Sequence, residues 1–204
     1  MRFSVAILAV LAAMSAGAET LDRIAVTVGR HVISEHDIVQ DLRISAFIDG
    51  KAPDFSADQK RKAAERLIDQ YLVLEDAADT RVPPPPAADV AGLLTPIKAR
   101  FTSDQEYRAA LAQAQIGEAE LSAQLLAGLR MLRYTDLRFR PEVQLSEEAL
   151  RAYYNKVKPT LTFEASLGDI EKLLTDQQTM QALDRWLEMA RSEIAIVYRE
   201  GAFK

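Results

Sequence analysis

The 204-residue chain contains no cysteine and two histidines, and none of its apolar runs is long enough to cross a bilayer. Each shortage removes a class of function. Without thiols there is no disulfide scaffold, no thiol redox centre and no thioether lipid anchor at an export site. Both histidines fall in one stretch, GRHVISEHDIVQ (residues 29–40), so any histidine metal site would have to be built there. An inverted zinc-protease helix needs H-x-x-E-H, and the step from His31 to Glu35 is one residue too long for it. His31 precedes the predicted helix cap at Ser34 and His36 follows it, so the two do not share a helix face. No further ligands stand nearby at diagnostic spacing.

Other catalytic signatures are missing as well. No serine sits in G-x-S-x-G and no glycine-rich phosphate loop occurs. Carboxylates are abundant, but they gather at predicted helix starts, where they serve the caps and the positive end of the helix dipole. The expectation is a protein with no catalytic residue, no metal and no cofactor, and therefore not an enzyme. The 25 Lys and Arg are interspersed with 30 Asp and Glu, for a formal charge of −5. With no basic stripe to track phosphates, nucleic acid is not an expected partner.

What is present begins with Arg2, an apolar run from Phe3 to Met14, and small residues ending Ala16-Gly17-Ala18. This order is that of a signal peptide, and the run is well short of the roughly 20 residues that span a membrane. Residues 1–18 are read as a signal peptide cleaved after Ala18. Residues 19–204 are read as one exported domain with no transmembrane segment, held by its core alone.

Ile24, Val26 and Val28 alternate with Ala25 and Thr27, a half-buried strand. Gly29-Arg30 supplies a turn, and His31 to Ile33 returns as a second strand. Ser34 caps a helix that Asp49-Gly50 ends. Ser56 caps a long helix to about Ala78, with a stripe of Ala64, Leu67, Ile68, Tyr71 and Leu74. Four prolines, 83–86, form a stiff extended connector. A helix follows from Ala87 to Ala99, with Pro96 expected to kink or end it, and another from Asp104 capped by Ser103. A longer one runs from Glu118 to Arg138 with the stripe Leu121, Leu125, Leu129 and Leu132, leaving Met131 and Tyr134 off it. Ser146 caps a short helix ending near Lys158. The last helix is placed from about Leu167 or Gly168 to Arg191, with Leu173, Met180 and Leu187 at heptad spacing and Leu183 and Ala190 beside them. Strict alternation from Ile194 to Val197 closes the chain as a strand. Because a hairpin alone is marginal in water, this strand is expected to pair with the N-terminal one. The fold class is mostly α: a helical core at about 34–158, then a C-terminal helix and strand at about 166–199 returning to the hairpin.

The stretch LDRIAVTVGRHVISEHDIVQDL, followed by QKRKAAERLIDQYLVLEDA, resembles the N-terminal chaperone domain of the SurA family of periplasmic folding factors. Val26, Val28, Val32, Ile33, Ser34, Asp37 and Ile38 fill the first part of that pattern, and Leu67, Ile68, Leu72 and Leu74 the second. The turn departs from it, with Gly29-Arg30-His31 where Asn is common. RPEVQLSEEALRAYYNKVKP is similar to the segment that leads into the parvulin domain of SurA- and PrsA-type prolyl isomerases. Here only eight residues separate Tyr154 from Phe163, too few for that domain, which is therefore expected to be absent.

The resemblance implies a periplasmic, ATP-independent chaperone without prolyl isomerase activity. It would bind unfolded exported polypeptides, outer-membrane protein precursors above all. Phe101, Tyr107, Met131, Tyr134 and Phe139 are the candidate client-lining residues, with core packing as the competing role of each. The alternative function is a non-catalytic scaffold or assembly subunit whose Leu173, Met180 and Leu187 dock a folded envelope partner or a second copy. A homodimer formed by exchange of the terminal strand, hinged at Lys158 to Leu161, is a further possibility.

Overall fold

A computed structural model describes residues 22–158 and 160–203; the expected signal peptide and its cleavage after Ala18 lie outside the described residues. Among these, β1 (Ile24–Val28) and β2 (His31–Ser34) are followed by α1 (Glu35–Asp49), α2 (Ala57–Asp79), α3 (Ala87–Lys98), α4 (Asp104–Ala114) and α5 (Glu118–Arg138). A 3₁₀ turn at Arg140–Glu142 leads to α6 (Glu147–Val157), α7 (Phe163–Glu193), β3 (Ile196–Tyr198) and a final 3₁₀ turn at Glu200–Phe203. The fold is mostly helical with one small antiparallel sheet. No described helix is long and apolar enough to cross a membrane.

The sheet has the order β2-β1-β3, so the last strand pairs with the first, as the sequence predicts. Val26, Thr27 and Val28 face Tyr198, Val197 and Ile196. Backbone bonds from Gly29 N to the Ala195 carbonyl and from Arg199 N to the Ala25 carbonyl, both 2.8 Å, extend the ladder. One detail of the alternation fails. A register shift between Ile24 and Val26 buries Ala25 and Val26 together and leaves Ile24 exposed, as an extra residue in a strand does.

Local chemistry sets the helix ends. Ser34 Oγ accepts from Asp37 N at 3.1 Å while Ser34 N donates to Asp37 Oδ2 at 2.8 Å, a reciprocal capping box. Gly50 closes α1 in the left-handed region, with φ 68°. Pro86, at φ −59° and ψ 146°, brings the proline tract to α3 as extended chain. Pro96 lies inside α3, which runs on to Lys98 before ending.

Three apolar clusters form the interior. The first joins β1, β2, α1 and α2 with Ala202 and Phe203, so both ends of the described chain share one core. The second gathers Ile44, Ile97, Tyr107, Leu111, Ile116 and Leu121. The third joins Val73, Ala77, Tyr134, Phe139 and Leu183.

Two sequence expectations are corrected. In α5 the stripe holds only at its start: Leu121 is buried, but Leu132 is exposed while Tyr134 and Thr135 turn inward. The helix passes from the second cluster into the third, so its buried face rotates. The final helix begins at Phe163, capped by Thr162, whose hydroxyl accepts from Ala165 N, four residues before the earliest predicted start. In that helix Leu183 is buried, whereas Leu173 and Met180 face solvent.

Candidate functional site

α1 divides two open grooves. Its Asp37, Gln40, Asp41 and Ile44 side lines one of about 510 Å³, closed by β2 and by Leu67, Tyr71 and Leu74 of α2. The predicted α2 stripe is therefore split: Ala64 and Ile68 enter the core, and its other three members are half-buried against this groove. His31 lies at the rim with its ring flat on Tyr71, centroids 4.1 Å apart. His36 sits exposed on α1, its backbone N–H donating to Asp22 Oδ1. The two histidines occupy different elements. Among the described residues no group of three or more His, Cys, Asp or Glu is placed to hold a metal.

Asp41, on the floor of this groove, is a buried carboxylate. Gln124 Nε2 donates to its Oδ1 at 3.1 Å, and Arg66 pairs with its Oδ2. Burial raises its pKa above the usual carboxylate value, and the opposing pull of Arg66 and Gln124 does not cancel that effect.

The second groove, about 670 Å³, lies between the C-terminal half of α1, the 50–56 loop, the start of the α3–α4 connection and the end of α4. Phe47 and Phe101 are stacked at 6.0 Å, and Phe55 stands on the loop with 41% of its surface exposed. Ala110, Ala114 and Pro53 complete the apolar lining. Arg43 lies over the Phe55 ring at 5.9 Å and Arg100 over Phe47 at the same distance. The volume is that of a small-ligand or short-peptide site.

The five candidate client-lining residues do not come together. Phe101, half-buried, lines the second groove, and Tyr107 lies beneath it with its ring 5.6 Å away and only 1% exposed. Met131, Tyr134 and Phe139 belong to the third cluster with Trp186. Tyr107, Tyr134 and Phe139 are buried and offer a client no surface; their assignment as contacts is corrected to core packing. Phe47, Phe55, Arg43 and Arg100 were missed. Phe47 falls within the apolar face of α1, but Phe55 sits in a loop where no periodicity singles it out.

No family model matches the chain, and no curated protein matches it.

Proposed function

We propose that this protein is an ATP-independent chaperone that holds unfolded exported polypeptides in the periplasm, outer-membrane protein precursors among them. The observation that carries the reading is the second groove, where Phe47, Phe55 and Phe101 form an open apolar surface rimmed by polar and cationic groups. Aromatic side chains grip an extended apolar segment with little entropy to lose, and a polar rim discourages self-association. Such binding needs neither nucleotide nor covalent chemistry, in keeping with the absence of a phosphate loop or an activated nucleophile from the sequence. The test is suppression of aggregation when a denatured outer-membrane protein is diluted into buffer with stoichiometric chaperone. Full aggregation in its presence would sink the reading.

A second reading is favoured by a different observation. Leu173 and Met180, seven residues apart on α7, are both exposed, as a helix that docks a folded partner or a second copy would present them. Sedimentation and pull-down separate the two: a single stoichiometric folded partner, or a stable dimer, favours the scaffold, and many unfolded clients favour the chaperone.

A further inference from the structure

The two grooves carry opposite charge. The lining of the first includes Asp37, Asp41 and Glu75 and no Lys or Arg, whereas that of the second includes Arg43, Lys51 and Arg100 and no carboxylate. Two of the acids are occupied internally, Asp37 in the Ser34 cap and Asp41 by Arg66 and Gln124. The cations of the second groove are differently placed. Lys51 meets Asp49 at 3.4 Å, but neither guanidinium has a carboxylate partner among the described residues. Arg43 donates to the side-chain oxygens of Gln115 at 2.7 Å and Gln40 at 3.5 Å. Arg100 donates to the carbonyls of Ile48 and Phe47, both at 2.9 Å, and of Ile97 at 3.3 Å. In a chain of formal charge −5, two guanidiniums held only by neutral oxygen acceptors, their charge uncompensated, and set beside an aromatic floor form a surface complementary to an anion attached to an apolar group.

We propose that this groove selects extended polypeptide segments in which an aspartate or glutamate neighbours an aromatic side chain. This deepens the polypeptide-binding reading and rests on it. The ligand ring enters among Phe47, Phe55 and Phe101, and its side-chain carboxylate meets Arg43, whose two existing bonds leave N–H donors free. The open groove lets a segment pass through from the interior of a client, so a chain end is not required.

The experiment measures binding of labelled peptides to the full protein by fluorescence anisotropy. The peptides are blocked at both ends and alternate phenylalanine with aspartate, asparagine or lysine. The aspartate peptide is expected to bind about tenfold more tightly than the asparagine one, with the advantage shrinking as salt rises. Arg43→Gln is expected to bring the aspartate-to-asparagine ratio close to one, and Arg43→Glu to favour lysine; thermal melts confirm that each variant is folded. Equal binding of the aspartate and asparagine peptides, binding of none of the three, or an acid preference that survives Arg43→Gln overturns the inference. A preference seen only in a second set of the same peptides, left free at the carboxyl end, does so too, by assigning the groove to chain ends. Protection of a denatured client, measured in parallel, reports separately on the chaperone reading.

Discussion

The hydroxyl of Tyr134 on α5 donates to Asp76 Oδ2 on α2 at 2.7 Å, and Arg138 reaches the same oxygen at 3.3 Å. The Tyr134 ring is wholly buried against Phe139 and Trp186, so one side chain ties α2, α5 and α7 together. Tyr134→Phe removes one charge-assisted bond and should cost about 1–2 kcal/mol, and Tyr134→Ala about 3–5 kcal/mol, read from urea denaturation. Below its melting range, Tyr134→Phe should protect a client as well as the parent does. A loss of protection at unchanged stability would return Tyr134 to the binding surface.

Tyr198 repeats this arrangement on β3, donating to Glu65 Oε1 at 2.6 Å. Burial first, and then the Glu65 carboxylate, push its pKa up to about 12, and burial followed by Asp76 raises that of Tyr134. An unfolded tyrosine titrates near about 10. The folded chain therefore holds these protons more tightly, and the stability they confer is present below about pH 10 and lost as pH rises toward about 12. The urea midpoint should fall across that window, and more gently in Tyr198→Phe. Superimposable profiles for parent and variant would count against the linkage.

Gly29 has two reasons to be glycine. Its φ is +58°, and a Cβ built on it would lie 2.9 Å from Ile194 Cδ1. Gly29→Ala combines a left-handed backbone penalty with overpacking and should cost about 2–4 kcal/mol. In a cycle with Ile194→Ala the alanine at position 29 should become cheaper by about 1 kcal/mol. Strict additivity would mean that the close approach is relieved elsewhere.

The Asp41–Arg66 pair gives a prediction at the acid end. A raised carboxyl pKa contributes stability at low pH that is lost as pH rises through the folded value. Arg66 now opposes the shift, so Arg66→Gln should widen it. With the Arg66 side chain half-exposed and that of Asp41 buried, the loss near neutrality should be about 1–3 kcal/mol. It should be recovered as pH falls toward about 4. Adding Asp41→Asn should remove the pH dependence, as urea melts across the range would show.

The legible parts of the fold were those written in local chemistry. Ser34 and Gly50 bound α1 because a side-chain acceptor and a left-handed residue act within a few positions of themselves. The β1–β3 pairing was legible because, past the first twenty residues, only the stretches at 24–33 and 194–197 alternate with period two and each strand needs a partner. The buried face of α5 was not, since Leu132 and Tyr134 are sorted by which neighbouring helices lie beside them, and these change along its length. Thr162 was overlooked as a cap because Phe163 begins no obvious stripe. The groove was least legible of all: Arg43, Phe55 and Phe101 come from a helix, a loop and a connection, and only tertiary structure brings them together.

Phe55 is the side chain on which the binding reading depends most directly. It is exposed, lies outside all three apolar clusters, and has the Arg43 guanidinium 5.9 Å from its ring centroid. Phe55→Ser should therefore change stability by no more than about 1 kcal/mol. If clients lie in the groove, the same change should reduce protection of a denatured outer-membrane protein several-fold, because an aromatic anchor carries more binding energy than its share of area. Leu132→Ser is the control, since Leu132 is the more exposed of the two and lies away from this groove. Loss confined to Phe55→Ser assigns protection to the groove. Equal loss in both variants would mean that exposed apolar surface of any kind suffices, and the groove would lose its role.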